Sequence, residues 1–417
     1  MYWIRPGAHV LVKGIEKGTY LGQPSISGLV SWEDCDRPTL RVHFATHAPL
    51  GDQLAEDGNA FLIGCLLPAL KYRERRIAIE APTCPWLRNN LDAVCAYYDR
   101  WFYAASRELV IEANGDMPGG ASEPRTAAFF SGGVDSLHAL YENHRQLPAH
   151  HAGRIRDGLV MLGFEIRVER PEAEAAFGLA LRQLRPPAEA LGVQLVPVLS
   201  NLRELDADGT FWGDVFQGAM LSAAAHAFGS RYSDVLLASS ADIPNLSPYG
   251  THPAVDPKLS SFGLRVHHQG ERYSRLDKLR ALQSWGADLS RLRVCPRAPA
   301  ERLNCGACEK CIRVKLELLV LGALRAEGPF ASCNVAPEDL EGLPISGGVI
   351  VFYADLIPEL YRRGHEALAR AVLWRVVRDM PRRMQGHLEE ALKDVDHALF
   401  RDQLRHWVRR QRRGAHP

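Results

Sequence analysis

Two short stretches hold residue types that do chemistry. The first, FFSGGVDSLHAL, spans residues 129–140. An apolar run leads into Ser131, Gly132, Gly133, Val134, Asp135 and Ser136, and a helical pattern follows. Paired glycines let a backbone turn sharply and bring its N–H groups against a ligand. The amino end of a helix carries partial positive charge, so the ligand favoured by such a turn is an anion. Ser131 and Ser136 add hydroxyls suited to phosphate oxygens. The competing reading of a lone Gly-Gly pair is a plain strand-to-helix turn capped by serine.

The second stretch, VCPRAPAERLNCGACEKC, spans residues 294–311. Cys295, Cys305, Cys308 and Cys311 are spaced C-x9-C-x2-C-x2-C. Thiolates two residues apart in a turn can reach one metal ion, and Gly306 relaxes that turn. Four sulfurs suit tetrahedral Zn²⁺ in a closed, structural site. An iron–sulfur cluster, a redox pair and free core thiols are the alternatives. Cys35, Cys65, Cys84, Cys95 and Cys333 show no ligand spacing and read as small buried hydrophobes.

The string SGGVDS at 131–136 resembles the SGGxDS signature of the ATP pyrophosphatase family, the PP-loop enzymes. It differs from the GxxxxGK[ST] loop that binds the β and γ phosphates. The resemblance implies that Ser131, Gly132, Gly133, Val134, Asp135 and Ser136 surround the pyrophosphate of ATP. Asp135 would help hold Mg²⁺. Attack at the α-phosphate would then give an adenylated substrate. Ser131 and Asp135 carry over as catalytic candidates, and Glu165, in GFEI at 163–166, as a neighbour of adenine and ribose.

Together with the four-cysteine cluster roughly 160 residues downstream, the loop resembles the 7-cyano-7-deazaguanine synthases and their relatives. That implies adenylation of 7-carboxy-7-deazaguanine and transfer of the acyl group to ammonia, giving an amide and then a nitrile. Some longer relatives belong to anti-phage operons, where the activated base is joined to the amino terminus of a partner protein. The resemblance covers about 123–325, and the first cysteine spacing is slightly longer than in the housekeeping enzyme. The other readings are a tRNA-modifying PP-loop enzyme of the thiolase or lysidine type, and a non-catalytic ATP-binding subunit of a defence complex.

These residues need elements to position them. Between 123 and 325, four apolar runs (TAAFF, GLVMLGFEI, VQLVPVLSNL and DVLLASS) alternate with helical patterns. This predicts an α/β fold, a doubly wound parallel sheet whose ligands bind at the carboxyl ends of the strands. The PP-loop type of that sheet is what the resemblance adds. The helix over 174–191 is expected to break at Pro186. Residues 1–122 read as a separate α+β domain, joined by the Gly/Pro-rich linker 113–125, and 326–417 as a helical region.

Three further segments carry candidates. The loop NLSPYGTHPAVDPKLSSFG (245–263) follows the fourth strand, with Thr251, His252, Asp256 and Lys258 able to meet substrate; His252 is its catalytic candidate. YSRLDKLRAL (273–282) puts Arg275 and Lys278 at helical spacing, where they would balance phosphate charge; Lys278 is also a catalytic candidate. Trp212 and Phe216 read as core aromatics more readily than as a base-stacking pair. The tail 405–417 is basic with one tryptophan and reads as a solvated terminus before a contact for RNA or an acidic partner.

Composition narrows the partners. The 417 residues are 46% hydrophobic and 24% charged, with a formal net charge of +1. A near-neutral chain has no overall pull toward nucleic acid. No stretch has the length and apolarity of a membrane span, and the first residues lack a signal-peptide pattern, so a cytoplasmic location is expected. Oligomerisation is one use for the added regions.

Overall fold

The computed structural model describes residues 9–33, 36–103, 108–118 and 124–379, with Arg170, Ser230, Pro296, Ala300 and Ser346 left out. The helical pattern expected beyond 379, the basic tail and Cys35 lie outside the described residues. The chain forms two compact units, residues 1–305 and 306–417.

The first unit is built on one ten-stranded sheet. Its strands are β1 His9–Tyr20, β2 Gln23–Trp32, β3 Leu40–Thr46, β4 Arg76–Ile79, β5 Val110–Ala113, β6 Thr126–Phe129, β7 Ile155–Leu162, β8 Gln194–Ser200, β9 Asp234–Ala238 and β10 Arg265–Gln269. Their order is β10-β9-β6-β7-β8-β3-β2-β1-β4-β5. Six of the nine pairings are parallel. This is the expected α/β class, with a mostly parallel sheet.

β6 is buried at all four positions, as a strand covered on both faces must be. Within the parallel half the order reverses beside β6: β7 and β8 lie to one side, β9 and β10 to the other. Such a reversal opens a crevice at the carboxyl ends of the flanking strands. The loop at 131–133 leaves β6 at that point.

The helices of this unit are α1 Asn59–Lys71, α2 Pro85–Tyr98, α3 Val134–Gln146, α4 Ala173–Ala190, α5 Gly209–Phe211, α6 Gln217–His226 and α7 Arg275–Ser284. A π-turn at Trp212–Phe216 joins α5 to α6. In α1 every residue but Lys71 is buried, the pattern of a helix enclosed all round. α4 runs unbroken through Pro186 and Pro187, against the expected break. Neighbouring contacts outweigh the hydrogen bonds that proline removes: Leu184 and Ala188 are fully buried and Pro187 is buried.

The described residues of 1–122 build no separate sheet. β3 pairs antiparallel with β8, Phe44 opposite Ser200 and Thr46 opposite Val198. The Asn201 side chain accepts from His43 N–H at 2.8 Å and donates to the Arg41 carbonyl at 2.9 Å. Two strands escaped the sequence reading, β5 and β10. β10 (RVHHQ) has exposed or half-buried residues at four of its five positions, so no apolar run marks it.

The second unit holds α8 Glu309–Val320, α9 Ile350–Ala354, α10 Leu356–Arg362 and α11 Glu366–Asp379. Within the region read as helical, α10 and α11 are divided at Gly364, whose φ is +77°; a left-handed glycine ends a helix.

β1 and β2 meet through a two-residue turn, Leu21-Gly22, with Tyr20 opposite Gln23. Both residues have positive φ, 50° and 72°, the geometry of a type I′ turn. Leucine is poorly suited to it and is half exposed here. Leu21→Asn is expected to raise stability by about 1 kcal/mol, read as a higher urea midpoint at unchanged slope.

Candidate functional site

The loop after β6 needs glycine at 132. Its φ is +79°, and an added Cβ would collide with Leu184 Cδ2. Gly133 has ordinary extended backbone, φ −75°, and stands at the N-cap of α3. Its N–H donates to Ser131 Oγ at 3.3 Å, and Ser136 Oγ donates to the Gly133 carbonyl at 3.1 Å. The two serine hydroxyls are 3.3 Å apart. The first N–H groups of any α-helix lack partners inside it, so those of α3 point toward whatever the loop surrounds. Val134 is fully buried and anchors the turn.

Asp135 lies in the first turn of α3. Arg275 Nη1 is 2.8 Å from Oδ2 and Lys278 Nζ 3.4 Å from Oδ1. Ser240 Oγ, just past β9, donates to the same carboxylate at 3.4 Å. Lys278 Nζ also donates to the Ser239 carbonyl at 2.5 Å. The Arg275 and Lys278 side chains are 8% and 1% exposed, so two cations are held out of water beside the loop. Burial pushes the Lys278 ammonium below its ordinary pKa, opposed by Asp135 and reinforced by Arg275. A cation held this way attracts a polyanion more strongly than one in bulk water.

Arg293 completes the loop. Its N–H donates to the Gly132 carbonyl at 2.9 Å, and its Nη1 to the Ser131 carbonyl at 3.2 Å. Nη1 also lies 3.7 Å from Glu165 Oε2, which brings the candidate Glu165 to the loop through a shared partner. Sequence reading missed Arg293, Ser239 and Ser240. None belongs to a motif, although Arg293 stands two residues before Cys295.

His252 is tied elsewhere. Its N–H donates to Asp256 Oδ1 at 3.1 Å, its Nδ1 accepts from Ala254 N–H at 3.1 Å, and its ring lies 4.9 Å from that of Trp101. Burial lowers its pKa, and His268 adds to the lowering. Asp256 is fully buried and meets His268 Nδ1 at 2.7 Å. The loop at 245–263 is thereby pinned by its own His and Asp, and nothing described joins those residues to the Asp135 cluster. Phe216 is core, and Trp212 packs under Arg203 at 4.1 Å.

The four sulfurs of Cys295, Cys305, Cys308 and Cys311 all lie within 4.8 Å of one another and could hold a metal ion such as zinc. Gly306 turns the chain with φ +82°. Cys295 Sγ accepts from Arg297 N–H at 3.3 Å, which suits a thiolate. Among the other cysteines, Cys65, Cys84 and Cys95 are buried as expected, but Cys333 is exposed. Its neighbours Ser332 and Asn334 are exposed too, so this turn has no core to enter.

Compared with family models, curated proteins and solved structures, the chain finds no match.

One turn after Asp135, His138 is fully buried, with neither ring nitrogen hydrogen-bonded. It packs between Tyr273 and Trp285, ring centroids 4.8 and 5.3 Å away. Burial, with the Lys278 charge, lowers its pKa from 6.5 to about 4. The unfolded chain takes up this proton below pH 6.5 and the fold resists it until about pH 4. Its contribution is therefore complete above pH 6.5 and lost as pH falls to 4. His138→Phe should reduce the acid-side loss of stability across that window by about 3 kcal/mol, measured by urea unfolding at pH 7 and pH 4.5.

Proposed function

We propose that the protein binds Mg·ATP at the 131–136 loop and cleaves it at the α-phosphate to adenylate a carboxylic acid, for which 7-carboxy-7-deazaguanine is the leading substrate. The observation that carries this reading is the Asp135 cluster: a serine- and glycine-rich turn at the point where strand order reverses, with Arg275 and Lys278 held against the first turn of α3. The sequence SGGVDS is what makes pyrophosphate the favoured anion there, and a PP-loop type of sheet agrees with the strand order.

In the first step a carboxylate oxygen attacks the α-phosphorus, and the bond to the bridging oxygen breaks. Pyrophosphate leaves with the electron pair. The loop N–H groups and Ser131 hold the departing phosphates, and Lys278 and Arg275 neutralise the charge that builds on them. Asp135 already carries two cationic partners. It therefore serves as the anchor of those cations, and Mg²⁺ enters with the nucleotide as substrate. In the second step an amine nitrogen attacks the acyl carbon, AMP leaves and the amine loses a proton. Ammonia and the amino terminus of a partner protein are the two amines proposed.

For the four sulfurs we propose one structural zinc ion. At 2.3 Å per bond a tetrahedron sets its sulfurs about 3.8 Å apart, which agrees with four sulfurs within 4.8 Å. An iron–sulfur cluster spreads its cysteines over separate iron atoms. Elemental analysis is expected to find one zinc and no iron per chain. Cys308→Ser should lower zinc content by more than half and lower the melting temperature; iron in stoichiometric amount overturns the assignment.

The function is tested by mixing the protein with Mg·ATP and 7-carboxy-7-deazaguanine, with and without ammonia, and following nucleotides and base by mass spectrometry. AMP, pyrophosphate and loss of the base's carboxylate are expected. Lys278→Met should reduce kcat/KM roughly 10²–10³-fold. Formation of ADP, or intact ATP with every carboxylate tried, overturns the reading.

A further inference from the structure

Beside the loop lies a cavity of ≈300 Å³. One wall is the first turns of α4, through Glu172, Ala176 and Leu179; the facing wall is the stretch between the first two cysteines, through Glu301, Arg302 and Leu303. Arg293 and Cys295 line it as well. Arg293 is therefore shared between cavity and loop, because its Nη1 donates to the Ser131 carbonyl at 3.2 Å.

The walls differ in character. Leu179, Ala176 and Leu303 are half-buried, whereas Glu172, Glu301 and Arg302 are exposed. The apolar side chains offer a surface for a flat, compact body, and the charged ones stand where the cavity meets solvent. Its volume is at the small end for ligand sites, which run from about 300 to 1,000 Å³. A molecule of one or two rings fits.

The inter-cysteine wall is built rather than incidental. Asn304 is buried; its Oδ1 accepts from Val294 N–H at 2.8 Å and Cys295 N–H at 3.2 Å, and its Nδ2 donates to the Leu292 carbonyl at 2.7 Å. Those bonds join the two stems of the stretch below the cavity. Cys295 and Cys305 then bracket it with two of the four clustered sulfurs. Of the described residues between those cysteines, Ala298, Pro299, Glu301, Arg302 and Leu303 line the cavity.

We propose that this cavity binds the acid substrate, and that Glu301, Arg302 and Leu303 form its specificity wall. The inference rests on the adenylating reading above. The reacting carboxylate must come within about 3–3.5 Å of the α-phosphorus, so it belongs at the Arg293 side, nearest the loop. The opposite end of the acid meets Glu172 and Glu301, which accept hydrogen bonds from N–H groups, and Arg302, which donates to a ring carbonyl. The ligand class is a compact, planar carboxylic acid whose far edge carries both N–H donors and a carbonyl acceptor. The metal-binding sulfurs hold the wall in place and take no part in the reaction.

The test is calorimetric titration of the metal-loaded full chain with 7-carboxy-7-deazaguanine, without ATP. The wild-type chain is expected to bind one molecule. Ala176→Trp and Leu303→Trp, which fill the cavity from opposite walls, should each weaken binding at least tenfold. Arg302→Ala should weaken it three- to tenfold. ATP binding by all three variants should stay within twofold of wild type, which shows that they fold. No binding by wild type, or equal binding by both tryptophan variants, overturns the inference. Acid binding that the tryptophan variants abolish, without any AMP formation, would sink the ligase reading and leave the cavity assigned. AMP formation that depends on the acid but ignores both tryptophans would do the reverse.

Discussion

Asp135 is the point on which the site turns. Its carboxylate holds Arg275 and Lys278, residues 140 and 143 positions further along the chain. Two cations with almost no exposure cost much free energy unless a charge is paired with them. The carboxylate, the Ser239 carbonyl and the Ser240 hydroxyl meet that need together. In doing so they join the start of α3, the end of β9 and the start of α7. The loop at 131–133 inherits its position from this arrangement, and Arg293 fastens its other side.

The sheet explains why these parts meet. Parallel strands place all their carboxyl ends on one edge, and the reversal of order at β6 separates two neighbouring strand ends enough to admit a ligand. β6 contributes the loop and β9 the serines. The amino-terminal strands extend the same sheet through β3 and β8 without touching the reversal. They enlarge the core: Phe44 packs edge-on against Phe61 of α1, ring centroids 5.6 Å apart. The buried Asp157 of β7, bonded to Arg125 and Arg231, is a second ionic anchor. Arg231 also donates to Gln53 of the first region at 2.5 Å, so this anchor ties the added strands to the parallel half.

Much of the site was readable in the chain because it depends on short spacing. SGGVDS and the C-x2-C-x2-C run are local: a few residues decide turn geometry and donor chemistry, and no distant contact is needed to recognise them. Arg275 and Lys278 were found through helical spacing. His252, read from its place in a loop, is not brought to the Asp135 cluster by any described contact. A histidine in a long loop after a strand looks available, yet Asp256 of the same loop accepts from its N–H and Trp101, far back in the chain, packs on its ring.

By itself the sequence determined the alternation of strand and helix, the loop with its glycine at a left-handed position, and four sulfurs close enough along the chain to gather. These follow from period, propensity and turn chemistry, all of which act over a few residues. Only the tertiary structure decided that residues 1–122 would share the sheet, that Pro186 would stay inside a helix, and that Arg293 would clamp the loop. It also decided which carboxylate would hold the two cations. Those outcomes turn on burial and pairing between segments far apart in sequence, where the free energy of desolvating a charge or covering an apolar face overrides local preference.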